Sequence, residues 1–144
     1  MNDLNRLYRD TIKQHAGEPV GYRRKIDATH QFEEYNPLCG DRILIRLQIA
    51  GDHINSTAFD GEACAICMAS ASLLCENVSG QPVSLLQSLH DRLHEALSGD
   101  GDSGDIEILQ PLLGVKPFPS RVRCATLPWT AASKAVSVAK PLKT

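Results

Sequence analysis

Residues 41–59, DRILIRLQIAGDHINSTAF, decide the fold. Ile43, Ile45, Leu47 and Ile49 alternate with Leu44, Arg46 and Gln48, and a period of two is the mark of a half-buried strand. Ala50-Gly51-Asp52 reads as a tight turn that returns the chain into a second strand, His53 to Phe59. Upstream, Ile26, Ala28 and Phe32 repeat the same period, interrupted by His30, and predict a further strand. Three consecutive runs joined by short connections make a small antiparallel sheet.

On either side of these runs the period changes. Leu4, Leu7, Tyr8 and Ile12 recur at helical spacing, with Asn2 or Asp3 as cap and Gly17 and Pro19 as stop. Residues 64–78 are rich in Ala, Ser, Met and Leu and predict a helix ended by Gly80. Pro82 suits the first turn of the next helix, which carries Leu86, Leu89, Leu93 and Leu97 on one face. SGDGDSGD, 98–105, reads as a flexible acidic loop. A short helix around 105–109, a stretch punctuated by Pro111, Pro117 and Pro119, and a helical segment from Ser120 to about Val138 follow. Pro128 is expected to kink, break or shorten that segment. The expectation is one α+β domain over 1–144, a three-stranded antiparallel sheet with helices on one face, and a frayed tail from about 139.

Composition narrows the function. Of 144 residues 42% are hydrophobic and 22% charged, a globular balance. A net charge of -2 leaves no basic excess for phosphates, which argues against nucleic acid as a partner. The apolar stretch 63–75 is too short to span a bilayer, so no membrane is expected. The beginning, MNDLNRLYRD, is charged from its third residue, unlike a signal peptide. Five cysteines, an odd number, point to metal or thiol chemistry in a reducing, cytoplasmic setting rather than to disulfides.

Three of those cysteines fall at predicted element ends. Cys39 sits in the turn NPLCGD between two strands, with Asp41 two residues on; Cys64 begins a helix; Cys124 lies in the first turns of the last helical segment. Three thiolates with Asp41 as a possible fourth ligand suit zinc or an iron–sulfur cluster rather than magnesium or calcium. The plainer alternative is that these are small buried apolar residues. Cys64-x-x-Cys67 has the spacing of a redox pair but lacks the βαβ surroundings. Cys67 and Cys75 are expected on the inner face of their helix. His90 and His94 stand four apart, as in zinc proteases, yet Asp91 replaces the catalytic Glu and no third ligand follows. A solvated helix face is the expectation there. DGDSGD fails the register of a calcium loop.

NPLCGDRI, GEACAICMASAS, GDIEILQ and FPSRVRCATLPW, in that order, resemble the SufU branch of the IscU/NifU-type iron–sulfur assembly proteins, and the likeness begins at LYRDTIKQH, 7–15. That resemblance implies the same small sheet with helices on one face and a zinc site formed by Cys39, Asp41, Cys64 and Cys124. It implies a sulfurtransferase-type acceptor that takes persulfide sulfur on Cys39 from a PLP-dependent, SufS-type cysteine desulfurase and passes it to downstream iron–sulfur assembly proteins. A histidine of the desulfurase is inferred to displace Cys39 from the metal in that family. The alternative is a scaffold on which a cluster is built and transferred. Arg123 stands where IscU-type scaffolds carry a histidine, GVKPFPSR replaces their chaperone-recognition motif, and both differences favour sulfur transfer. Arg121 matches a basic residue of the family's partner-facing region. GEPVG replaces the usual Asn-Pro-Arg-Asn, Pro128 a common Ser, and Cys67 a usual Ser or Ala, which adds a thiol close to the site.

Overall fold

The computed structural model describes residues 2–37, 40–98 and 107–137, without the side chains of residues 2–5, 7, 8, 107 and 108. Leu4, Leu7 and Tyr8 of the first predicted apolar stripe therefore lie outside the described side chains, as do the tail from about 139 and most of the acidic loop. The chain runs α1 (Asn2–Gly17), β1 (His30–Asn36), β2 (Asp41–Ala50), β3 (His53–Glu62), α2 (Ala65–Val78), α3 (Val83–Ser98), a 3₁₀ helix (Glu107–Val115) and α4 (Pro119–Ser137). The strands form an antiparallel sheet in the order β1-β2-β3, as the period-two pattern predicts.

β2 turns Asp41, Ile43, Ile45 and Leu47 inward, where the three apolar side chains are fully buried and Asp41 is 4% exposed. β3 cannot follow this alternation unaided, because Ile54 is out of phase with Thr57 and Phe59. A bulge solves it: Gln48 pairs with Ser56 and Ile49 with Ile54, which leaves Asn55 over and buries Ile54 on the same side. β1 starts later than the pattern suggests. Ile26 and Ala28 lie outside it, since the ladder closes at His30 opposite Leu47 and the Thr29 hydroxyl then takes the Ile49 N–H at 2.8 Å.

α4 packs on β1, β2, α2 and α3, so the helices lie over one face of the sheet. Trp129, fully buried, donates from Nε1 to Ser70 Oγ at 3.0 Å, and the same hydroxyl donates to the Ala125 carbonyl. Two expectations need correction here. Pro128 neither breaks nor shortens α4, which continues to Ser137. The packed surroundings of α2 hold the helix through the proline, and side-chain hydroxyls engage nearby carbonyls (Ser70 at Ala125, Thr126 at Val122). The stretch around Pro111 is also helical, of the 3₁₀ kind. Leu109, Leu112 and Val115 recur every three residues and all are fully buried, which matches three residues per turn. Among the described residues no helix is long and apolar enough to cross a membrane.

Candidate metal centre

The inward row of β2 ends on a carboxylate. Asp41 closes the β1–β2 ladder opposite Asn36, itself buried. Just before Asp41, Gly40 adopts φ +74 and its N–H donates to the Asn36 carbonyl at 2.8 Å. At the far end of β3, Gly61 pairs with Ile43 at φ +136, and a Cβ there would collide with the Arg42 carbonyl. Only glycine lets the two strands approach this closely beside Asp41.

Asp41 then engages two other elements. Its Oδ1 accepts the Cys64 N–H at 3.1 Å, and its Oδ2 accepts the Cys124 thiol at 3.3 Å. Cys64 is the N-cap of α2, with extended backbone (φ -67, ψ 167), and its sulfur accepts the Cys67 N–H at 3.5 Å. This satisfies one of the orphan donors of the helix start and aims Sγ outward at the positive end of the helix dipole. Cys124 comes from the second turn of α4 and is 6% exposed, whereas Cys64 is exposed.

Donor atoms of Asp41, Cys64 and Cys124 all lie within 4.8 Å of one another. Ligands bound 2.0–2.3 Å from a common zinc sit about 3.3–3.8 Å apart, so small adjustments let these three share one ion. Burial pushes the Cys124 thiol far above the ordinary thiol range. The hydrogen bonds to Cys64 and Asp41, and their negative charge, push it further the same way. A divalent cation relieves this concentration of negative charge, and two sulfurs with a carboxylate fit the borderline preference of zinc, with a tetrahedral position to spare.

Cys39, named with these three from the sequence, lies outside the described residues. Cys67 turns into the core and Cys75 is buried beneath β3, where the Thr57 hydroxyl donates to its carbonyl at 3.2 Å. Neither belongs to the group of donors. Arg121 lies beside it: with Arg9 and Lys13 of α1, Ile12, Ala65 and Ile66, it lines a cavity of about 500 Å³ that includes Cys64. Its guanidinium stacks on Phe118, 4.7 Å from the ring centre. Arg9 and Lys13 escape sequence reasoning, since they read as the polar face of a helix until the fold places that helix against α2.

The sequence profile of the NifU-like N-terminal domain matches residues 7–138, most of the chain. The chain belongs to the NifU-like N-terminal domain family. Within that family it is similar to the zinc-dependent sulfurtransferase SufU of Bacillus subtilis (strain 168), with 36% identity over 94% of this chain and 92% of that protein. It is also similar to the iron-sulfur cluster assembly scaffold protein IscU of Streptococcus pyogenes serotype M1, with 30% identity over 94% of this chain and 86% of that protein. A crystal structure described as a putative iron-sulfur cluster assembly scaffold protein for the SUF system, from Fervidobacterium islandicum AW-1, has the NifU-like fold of this chain. Its TM-score is 0.78 at 25% identity, covering 91% of this chain and 97% of that one.

Proposed function

We propose that this chain is a zinc-dependent sulfur acceptor that takes persulfide sulfur from a SufS-type cysteine desulfurase and passes it on for iron–sulfur cluster assembly in the cytoplasm. The observation that carries the reading is the meeting of Asp41, Cys64 and Cys124, from three separate elements, at the end of the hairpin whose turn contains Cys39. The family membership and the named activity of the Bacillus subtilis relative support it.

Cys39, Asp41, Cys64 and Cys124 are the residues that would hold the zinc. When bound, the metal keeps sulfur deprotonated without redox chemistry of its own. A free thiol of pKa near 8.5 is only about 3% thiolate at pH 7, and sulfur transfer needs a thiolate attacker. In the transfer, the Cys39 thiolate attacks the outer sulfur of the donor's persulfide. A sulfur–sulfur bond forms on Cys39, the donor's sulfur–sulfur bond breaks, and the donor cysteine leaves as thiolate. Arg121 contributes to docking the donor. Tyr35 (58% exposed) and Phe118 (45% exposed) add apolar contact area, in sequence close to Asp41 and Cys124.

Metal analysis of the purified protein, paired with desulfurase turnover, tests this. The expectation is about one tightly held zinc per chain and a several-fold stimulation that folded Cys39→Ala abolishes. Full stimulation by that variant removes Cys39 from its role. A stable, transferable cluster after anaerobic reconstitution, in place of retained zinc, would instead make the chain a scaffold.

A further inference from the structure

His90 and His94 lie one turn apart on α3, with ring centroids 4.3 Å apart and planes inclined by 40°. Each ring is oriented through its Nδ1. His90 Nδ1 meets Asp91 Oδ1 at 2.9 Å, and His94 Nδ1 meets the His90 main-chain carbonyl at 3.1 Å. A carbonyl oxygen only accepts, and so does a carboxylate such as that of Asp91. Both neutral rings therefore carry their proton on Nδ1 and their lone pair on Nε2. The Thr130 hydroxyl, reaching from α4, stands 3.4 Å from His94 Nε2, where it donates a long hydrogen bond.

An imidazole whose Nδ1–H is fixed on an oxygen, leaving the lone pair on Nε2, is the arrangement that orients histidines in metal sites. We propose that His90 and His94 form a second metal site, separate from the thiol group, that holds a borderline divalent transition ion through both Nε2 atoms with water in the remaining positions. Zinc, nickel and copper all accept imidazole. Two nitrogens 2.0–2.1 Å from one ion stand about 3.3 Å apart, a separation that tilted rings with centroids this close reach by small side-chain rotations. The ion takes the place of the Thr130 hydrogen bond at His94. Asp91 remains on the Nδ1 side of His90, where it supports the ring and is turned away from the ion.

Among the described residues no group of three histidine, cysteine or carboxylate donors includes this pair. The site is accordingly open and exchangeable, unlike one closed by protein ligands. α3 supplies nothing to the Asp41–Cys64–Cys124 group, so the two sites load independently.

The test uses the zinc-loaded full chain, freed of excess metal and titrated with nickel while released zinc is monitored. About one nickel binds per chain without zinc release. His90→Gln and His94→Gln each weaken that binding about tenfold or more, since losing a ligand costs at least as much as losing its outer support. His53→Gln is the control, because His53 has the same contact to a neighbouring aspartate, Asp52 at 3.0 Å, but no second histidine a turn away. Nickel that binds only as zinc leaves overturns the proposal. So does the absence of a second ion, or binding that survives in either of the α3 variants. The described side-chain contacts of His90 stay within α3, to Asp91 and His94, so its variant stays informative even if His94→Gln, which also loses Thr130 of α4, destabilises the packing.

Discussion

Asp41 holds two elements through two oxygens, and variants separate that structural part from the metal-binding part proposed for it. Asp41→Ala leaves the Cys64 N–H and the Cys124 thiol without their acceptor. Losing such partners at a buried position costs about 1–3 kcal/mol, measurable by denaturant unfolding of metal-free protein. Asp41→Asn keeps an acceptor oxygen and most of that stability, yet loses the charge, so zinc retained after dialysis against a chelator falls in both variants. Undiminished zinc in Asp41→Ala would exclude the carboxylate from the site. Cys75 makes a prediction of a different kind. Burial raises its thiol from 9.0 to about 11, against smaller opposing effects of Thr57 and Arg24. The folded state thus keeps a proton that the unfolded chain gives up. Stability from this source is complete below pH 9, and it is lost as pH rises toward 11, by about 1.4 kcal/mol per pH unit. Zinc-loaded Cys75→Ala, though less stable throughout, has a flatter decline over that window; parallel stability–pH curves would refute the assignment.

Between elements, the hydroxyl of Ser70 joins α2 to α4. It receives the Trp129 indole N–H and donates to Ala125, a residue next to Cys124. Ser70→Ala leaves the buried Trp129 indole N–H without its acceptor, for a loss of about 1–3 kcal/mol in urea unfolding. The double variant with Trp129→Phe should then cost less than the two single changes together. A purely additive result would mean that the bond contributes nothing. These contacts explain what was legible. The strands and α2, α3 and α4 follow from period and punctuation, which are local. Asp41 was also readable, as a carboxylate two residues after Cys39 in NPLCGD, and the structure then buries it in the same row as Ile43, Ile45 and Leu47. The bulge at Asn55, the continuity of α4 through Pro128 and the 3₁₀ helix across Pro111 were not, since each is imposed by packing that overrides the local preference.

At the scale of the whole molecule, charge is nearly balanced, at -2 overall, yet its distribution is not. Arg9, Lys13 and Arg121 gather around a cavity that includes the exposed thiol of Cys64, without a carboxylate among its lining residues. Arg121 came from the family resemblance; the two cations of α1 became visible only when the fold laid that helix on α2. A positive patch beside the Cys64 thiol attracts an acidic partner surface and chiefly sets the rate of encounter, an effect that salt screens. Arg121→Glu reverses one of these charges at an exposed position, so thermal stability and zinc content should stay at their wild-type values. The concentration of this protein needed for half-maximal stimulation of the desulfurase should rise about tenfold at low salt. Raising the ionic strength should weaken the wild-type response more than the variant's, until the two converge. Equal half-saturation for both proteins at low salt would place the docking surface elsewhere on the molecule. A variant that binds equally well but turns over slowly would move Arg121 from docking to the chemistry of transfer.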